Sequence, residues 1–285
     1  MTRGIRGTVW LFLLPAVALL VLLFVYPFIY GLFLSFTSAQ GAPTLANYAR
    51  YFTDSYEVRS IWITLWIAVP ATLINMVLGI PLAYYMRHGI SGEKVITFFL
   101  IVPITLGTVL ISEGMMTYMG PAGWLNQFLL LIHVVKEPIQ FTHNYLGVLI
   151  SLIIQGFPLV FLMLLGYVSG INPDLEKASQ MLGASKLATF LRVMFPLMVP
   201  GIAIAFSLNF VAMFSVFPSA TLLGQPAGPT RVMSIAAYHW SFEEFNFNVG
   251  SAISMTMAAI ELIIISVVLV WRNRMYKGAS IVGKG

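Results

Sequence analysis

Apolar positions fall into long unbroken runs, at about 9–36, 61–86, 95–118, 145–168, 200–217 and 248–271. Each run is long enough for a helix rising 1.5 Å per residue to cross about 30 Å of hydrocarbon. None shows the ten-residue alternation of a barrel strand, so the pattern predicts an all-α membrane protein with six transmembrane helices. The first run follows Arg3 and Arg6, as a signal sequence would. It is too long for a signal-peptide core and no small-residue cleavage site follows it, which marks it as a retained helix. The polar connections are unequal. Arg87–Lys94 is a tight turn, Met119–Asn144 and Pro218–Phe247 are long loops, and 169–199 carries a pattern of its own.

Composition excludes a soluble domain: 59% of the 285 residues are hydrophobic and 9% are charged, against about 25% charge in soluble proteins. The excess of 15 Lys+Arg over 10 Asp+Glu reports orientation rather than a nucleic-acid partner. With the N-terminus in the cytoplasm, Arg3, Arg6, Arg87, Lys94, Lys177, Lys186, Arg192, Arg272, Arg274, Lys277 and Lys284 lie inside. Only Arg50, Arg59, Lys136 and Arg231 lie outside, which places both termini in the cytoplasm. Tyr26, Tyr30, Tyr118, Trp124, Trp240 and Trp271 stand near span ends, where amphipathic rings anchor at the interface. The absence of cysteine excludes disulfides, thiolate metal sites and a Cys nucleophile.

The segment 169–199 opens with a helix start: Asn172 as N-cap, Pro173 at the first helical position, Asp174 and Glu176 in the first turn. Gly183 stops it. Ser185 then caps a second helix in which Leu187, Phe190, Leu191 and Met194 form a stripe that Lys186, Thr189 and Arg192 avoid, and Pro196 and Pro200 mark a turn into the fifth span. Such an element either transmits force from a cytoplasmic partner or is a plain connector at the membrane surface.

Glu176-Lys-Ala-Ser-Gln-Met-Leu-Gly183-Ala-Ser, followed by Phe195-Pro196, resembles the EAA loop of ATP-binding-cassette importer permeases in residue type and spacing. Tyr26-Pro27, Ser35-Phe36, Asn47-Tyr48, Pro81-Leu82-Ala83 and Gly123–Asn126 are similar to the same permeases, and Leu182–Ser185 with Pro200-Gly201 look closest to the branch that imports polyamines, iron, sulfate and opines. The resemblance implies one permease domain over residues 1–285, of the type I importer architecture, in a bacterial inner membrane. It implies a coupling helix at about Pro173–Leu182 seated in a separate ATPase, with Asp174, Glu176, Lys177, Ala178, Ser179, Gly183 and Ala184 as coupling residues. The implied partners are a nucleotide-binding ATPase dimer, a second permease subunit, which in that branch is usually a distinct chain, a periplasmic or surface solute-binding protein, and membrane lipid. ATP and Mg belong to the ATPase, and this chain binds no cofactor. One departure stands out: counting back from Gly183, Lys177 occupies the usual Glu position and Glu176 lies one residue earlier, a turn of about 100° around a helix.

The chain has no GxxxxGK[ST] phosphate loop, no HExxH around His88, His133, His143 or His239, and no GxSxG, so intrinsic enzyme activity is not expected. Glu113 and Glu261 lie within spans, where a charge costs at least about 2.5 kcal/mol on insertion. They line a polar path for a solute, or they are structural carboxylates between helices. Asn75, Gln155, Asn209, Ser207 and Ser254 offer neutral hydrogen bonds for the same path or for helix linkage. Asn209, Met213 and Phe217 repeat at i+4 along the fifth span, and with Asn75, Glu113 and Glu261 they are the candidate solute path. Pro70, Pro81, Gly156 and Pro158 kink or loosen the second and fourth spans. The function expected is ATP-driven import of a small polar solute, a polycation such as a polyamine being one candidate. The alternatives are an importer of sugars, opines or inorganic ions, an ion-coupled secondary transporter, or a receptor subunit without flux.

Overall fold

The computed structural model describes residues 13–89 and 92–276. Arg3, Arg6, Lys277, Lys284 and the start of the first run lie outside the described residues. Among the described residues six helices are long and apolar enough to span a membrane. They are α1 (Leu13–Ser35), α3 (Ser55–Met86), α4 (Glu93–Met119), α6 (Tyr145–Ser169), α8 (Lys186–Phe214) and α11 (Phe247–Tyr276). Short helices fill the connections: α2 (Ala46–Thr53), α5 (Trp124–Leu131), α7 (Asp174–Met181), α9 (Pro218–Leu222) and α10 (Met233–Tyr238). Among the described residues the only β pairing is an isolated bridge between Thr37 and Pro43.

Several boundaries differ from expectation for identifiable reasons. The helix α3 runs through Pro70 and Pro81 and begins six residues earlier than the apolar run, at Ser55. The third span is broken at Gly107, whose φ of 73° and ψ of 159° no L-residue adopts comfortably. The expected turn at Pro196 and Pro200 does not exist. Instead the amphipathic helix and the fifth span are one helix, α8, passing through a π turn at Phe190–Met194. That turn accommodates an extra residue, so the buried positions become Thr189, Met194 and Met198, while Leu187 and Leu191 are exposed. At its other end α8 stops at Phe214, so Phe217 lies beyond the helix and not on its i+4 stripe.

The described chain packs as two compact units. In the larger, the described residues of 60–235 and 259–276, the core lies between α3, α6 and α8. Met76, Ala83 and Met86 meet Val160, Phe161, Leu164 and Val168, with Met194, Met198, Ile202 and Ala205 completing the cluster. Removing these side chains from water and lipid contact favours tight packing of small and flexible residues, as helices in lipid require. In the smaller unit, residues 13–59 and 236–258, amide side chains satisfy carbonyls at and just beyond the end of α1. Asn47 Nδ2 donates to Ser35 O and Thr37 O at 3.0 and 2.8 Å, and Asn248 Nδ2 donates to Leu34 O and Thr37 O at 3.0 and 2.8 Å. The Arg50 guanidinium lies 4.3 Å from the centre of the Trp240 ring, a cation–π contact.

Candidate functional site

Two arrangements stand out, both in the larger unit. The first is the α7 element. The helix begins at Asp174 with Pro173, not Asn172, at the cap position, and Asn172 Oδ1 accepts from Asp174 N at 2.9 Å one residue further out. Gly183, at φ 85°, ends the element, and Ser185 Oγ accepts from Ala188 N at 3.2 Å to start α8. Ser179 and Thr189 share a 3.1 Å hydroxyl hydrogen bond that ties α7 to α8.

The one-residue displacement of Glu176 has a structural counterpart. Glu176 is buried, and Arg87 Nη1 donates to its Oε1 at 2.9 Å while His88 Nε2 lies 2.9 Å from Oε2. The same guanidinium donates from Nη2 to Ile171 O at 2.9 Å and lies 3.5 Å from Met194 Sδ. Only 3% of the Arg87 side chain and 8% of the Glu176 side chain are exposed. One buried ion pair therefore joins the end of α3, the entry to α7 and the first turns of α8. Arg87, expected only as an inside charge, is the pivot of this cluster. A carboxylate and guanidinium this close and this dry hold each other in place, because parting either leaves an unpaired buried charge.

Lys177 points the other way. Its Nζ pairs with Asp174 Oδ1 at 2.9 Å, with both side chains largely in solvent. Ala178 and Gly183 are also exposed, while Ser179 and Ala184 are half-buried. Glu176 is thus not on the presented face of the element. Sequence reasoning missed the most prominent part of that face, Met181 and Leu182, which are 88% and 90% exposed.

The second arrangement is a cavity of about 200 Å³ bordered by α4, α6, α8 and α9. Asn209, Met213 and Phe217 all line it, Phe217 from the turn after α8. Thr108, Gln155, Ser215 and Ser219 add polar groups, and Leu152, Leu159 and Val216 add apolar ones. Behind Asn209, Asn75 Nδ2 donates to Asn209 Oδ1 at 3.2 Å, and Asn209 Nδ2 donates to Gly156 O at 3.2 Å. The three helices approach closely there. A Cβ on Gly156 would come within 2.2 Å of Asn75 Nδ2 and 2.7 Å of Asn209 Nδ2. Ser215 Oγ donates to Glu261 Oε1 at 2.9 Å, which places this carboxylate one hydrogen bond from the lining. Glu113 is not brought in: it lies on the exposed side of α4, next to the buried Ser112. A helix presents adjacent residues about 100° apart, so the two sides of the span divide between them.

A family model for the binding-protein-dependent transport system inner membrane component matches residues 60–277. The chain belongs to that family. Among curated relatives, the permease is 29% identical over 218 residues to the spermidine/putrescine transport system permease protein PotB of Escherichia coli strain K12, covering 75% of this chain and 78% of PotB. It is 28% identical over 259 residues to the trehalose transport system permease protein SugA of Mycobacterium tuberculosis, covering 88% of this chain and 83% of SugA. The fold matches a chain of the bacterial alginate ABC transporter, crystallised in complex with an alginate pentasaccharide-bound periplasmic protein, with a TM-score of 0.82 at 22% identity over 96% of both chains. The permease is an all-helical, multi-pass membrane subunit of a binding-protein-dependent ABC importer. The family is one of transport permeases, not of ATPases.

Proposed function

We propose that the permease forms the path of a small polar solute and moves when a separate ATPase dimer, which carries the ATP and Mg, acts on α7. The observation that carries this is the buried Glu176–Arg87 pair. It makes α7 a lever fixed to α3 and α8 rather than a loose connector. The presented face of α7, from Asp174, Lys177 and Ala178 to Met181, Leu182 and Gly183, is the surface for the ATPase; Glu176, Ser179 and Ala184 hold that face in position. The lever moves α3 and α8, and these carry Asn75, Asn209 and Met213.

The solute path runs past Asn209, Met213 and Phe217, with Asn75 and Glu261 supporting it. Glu113, on the exposed side of α4, belongs to a contact with lipid or a companion chain. A solute-binding protein on the outer face delivers the solute, in the orientation with both termini cytoplasmic. One permease has one α7, whereas a two-fold ATPase dimer presents two equivalent sites, so a second permease subunit completes the assembly. The test is reconstitution of the complex with a Lys177→Cys permease, cross-linked to the ATPase through a short bifunctional reagent. Cross-linking whose yield changes with ATP supports the proposal. A Cys at 177 that never reaches the ATPase, in a complex that transports, refutes it.

A further inference from the structure

We propose that the cavity beside α8 binds a protonated aliphatic amine, held by the acceptor oxygens of Gln155, Ser215 and Asn209. This rests on the reading of that cavity as part of the solute path. It follows from an inventory of hydrogens. Gln155 Nε2 donates to Ser151 Oγ at 2.6 Å and to Ser219 Oγ at 2.9 Å, so both of its hydrogens are used. Ser112 Oγ donates to Thr108 O at 2.8 Å. Each hydroxyl has a single hydrogen, so Ser219 donates to Ser112 and Ser151 donates to Ser219, across contacts of 2.9 Å each. Ser215 spends its hydrogen on Glu261.

Among the polar groups of the lining side chains, the acceptors left unspent are Gln155 Oε1, the lone pairs of Ser215 Oγ and the second lone pair of Asn209 Oδ1. Against these stand the Thr108 hydroxyl and one Asn209 N–H. Among the described residues no Lys, Arg or His lines the cavity. An oxyanion would therefore meet few donors and no positive charge. A donor-rich cation finds acceptors, a carboxylate one hydrogen bond behind Ser215, and the Phe217 ring, whose face attracts an ammonium group. Leu152, Leu159 and the Met213 side chain suit methylene groups. The cavity, about 200 Å³, has room for a short amine.

The test uses the purified permease complex in nanodiscs, without the binding protein, titrated calorimetrically with 1,4-diaminobutane, butane-1,4-diol and sulfate. The diamine is expected to bind saturably, the diol at least about tenfold more weakly, and sulfate not at all. Glu261→Gln retains a partner for Ser215 and is expected to weaken the diamine about tenfold without changing the diol. Phe217→Leu is expected to weaken the diamine about threefold. Both variants are checked for unchanged thermal unfolding. Sulfate or diol binding as tight as the diamine overturns the proposal, as does diamine affinity unchanged in both variants. ATP-driven uptake of an oxyanion or a sugar, with the diamine inert, refutes the amine site and leaves the permease reading standing. A complex that takes up nothing with ATP refutes that reading as well.

Discussion

Replacing Glu176 by Gln changes one oxygen for an amide nitrogen and leaves Arg87 without a counter-charge. At the 2.9 Å separation of the pair, the gross attraction is about 6 kcal/mol for an effective dielectric of ~20. Desolvation offsets much of it when the pair forms. Breaking a buried pair from one side nevertheless costs about 3–5 kcal/mol, because the other charge stays buried. Glu176 also meets His88 at 2.9 Å, and the Ser179–Thr189 hydrogen bond, which ties α7 to α8, contributes only about 1 kcal/mol. The loss exceeds what the Ser179–Thr189 hydrogen bond supplies, while the α3–α6–α8 core cluster keeps all of its own side chains. The expected phenotype is uncoupling: normal membrane insertion, ATP hydrolysis retained, and solute moved per ATP down at least about tenfold. The assay is paired measurement of uptake and phosphate release in proteoliposomes. The exchanged pair, Arg87→Glu with Glu176→Arg, is expected to restore part of the loss. If Glu176→Gln transports at the wild-type ratio, or loses insertion and transport together, the lever argument is wrong.

Gly183→Val places a β-branched residue at φ 85°, at a cost of roughly 1–2 kcal/mol or more. It is expected to lower coupling with insertion intact, read by the same paired assay. Gly156→Ala drives a methyl group toward Asn75 and Asn209; overpacking of about 1–3 kcal/mol is expected to lower the unfolding temperature in detergent, measured by tryptophan fluorescence. Leu182→Asp alters a side chain that is 90% exposed. It is expected to leave the permease as stable as wild type while abolishing co-purification of the ATPase, whereas a stable complex with this variant would move the docking face elsewhere.

The apolar runs located all six spans, because continuous hydrophobicity depends little on tertiary contacts. The element after the fourth span was legible in Asn172, Gly183 and Ser185, whose roles in starting and stopping helices are local. What the sequence hid depends on phase and on partners distant along the chain. The stripe Leu187, Phe190, Leu191, Met194 assumed a uniform helical period, and the π turn at Phe190–Met194 shifted it. Gly107 and the end of α8 before Phe217 are breaks inside apolar text, with no polar residue to announce them. Nothing local distinguishes Arg87 from the other inside charges; its burial follows from Glu176, 89 residues away. Asn209 and Met213 were found through their spacing. The hydroxyl chain from Ser151 through Ser219 to Ser112 was not, because it joins three separate elements.

Work delivered through α7 from a separate ATPase is proposed to move the solute through this permease. The direct measurement is solute uptake into proteoliposomes holding the full complex, with ATP enclosed on the α7 side and binding protein supplied on the other. Uptake is expected to need both, and to stop when ATP is replaced by a non-hydrolysable analogue. Uptake by the permease alone, driven by an ion gradient and indifferent to ATP, would contradict it.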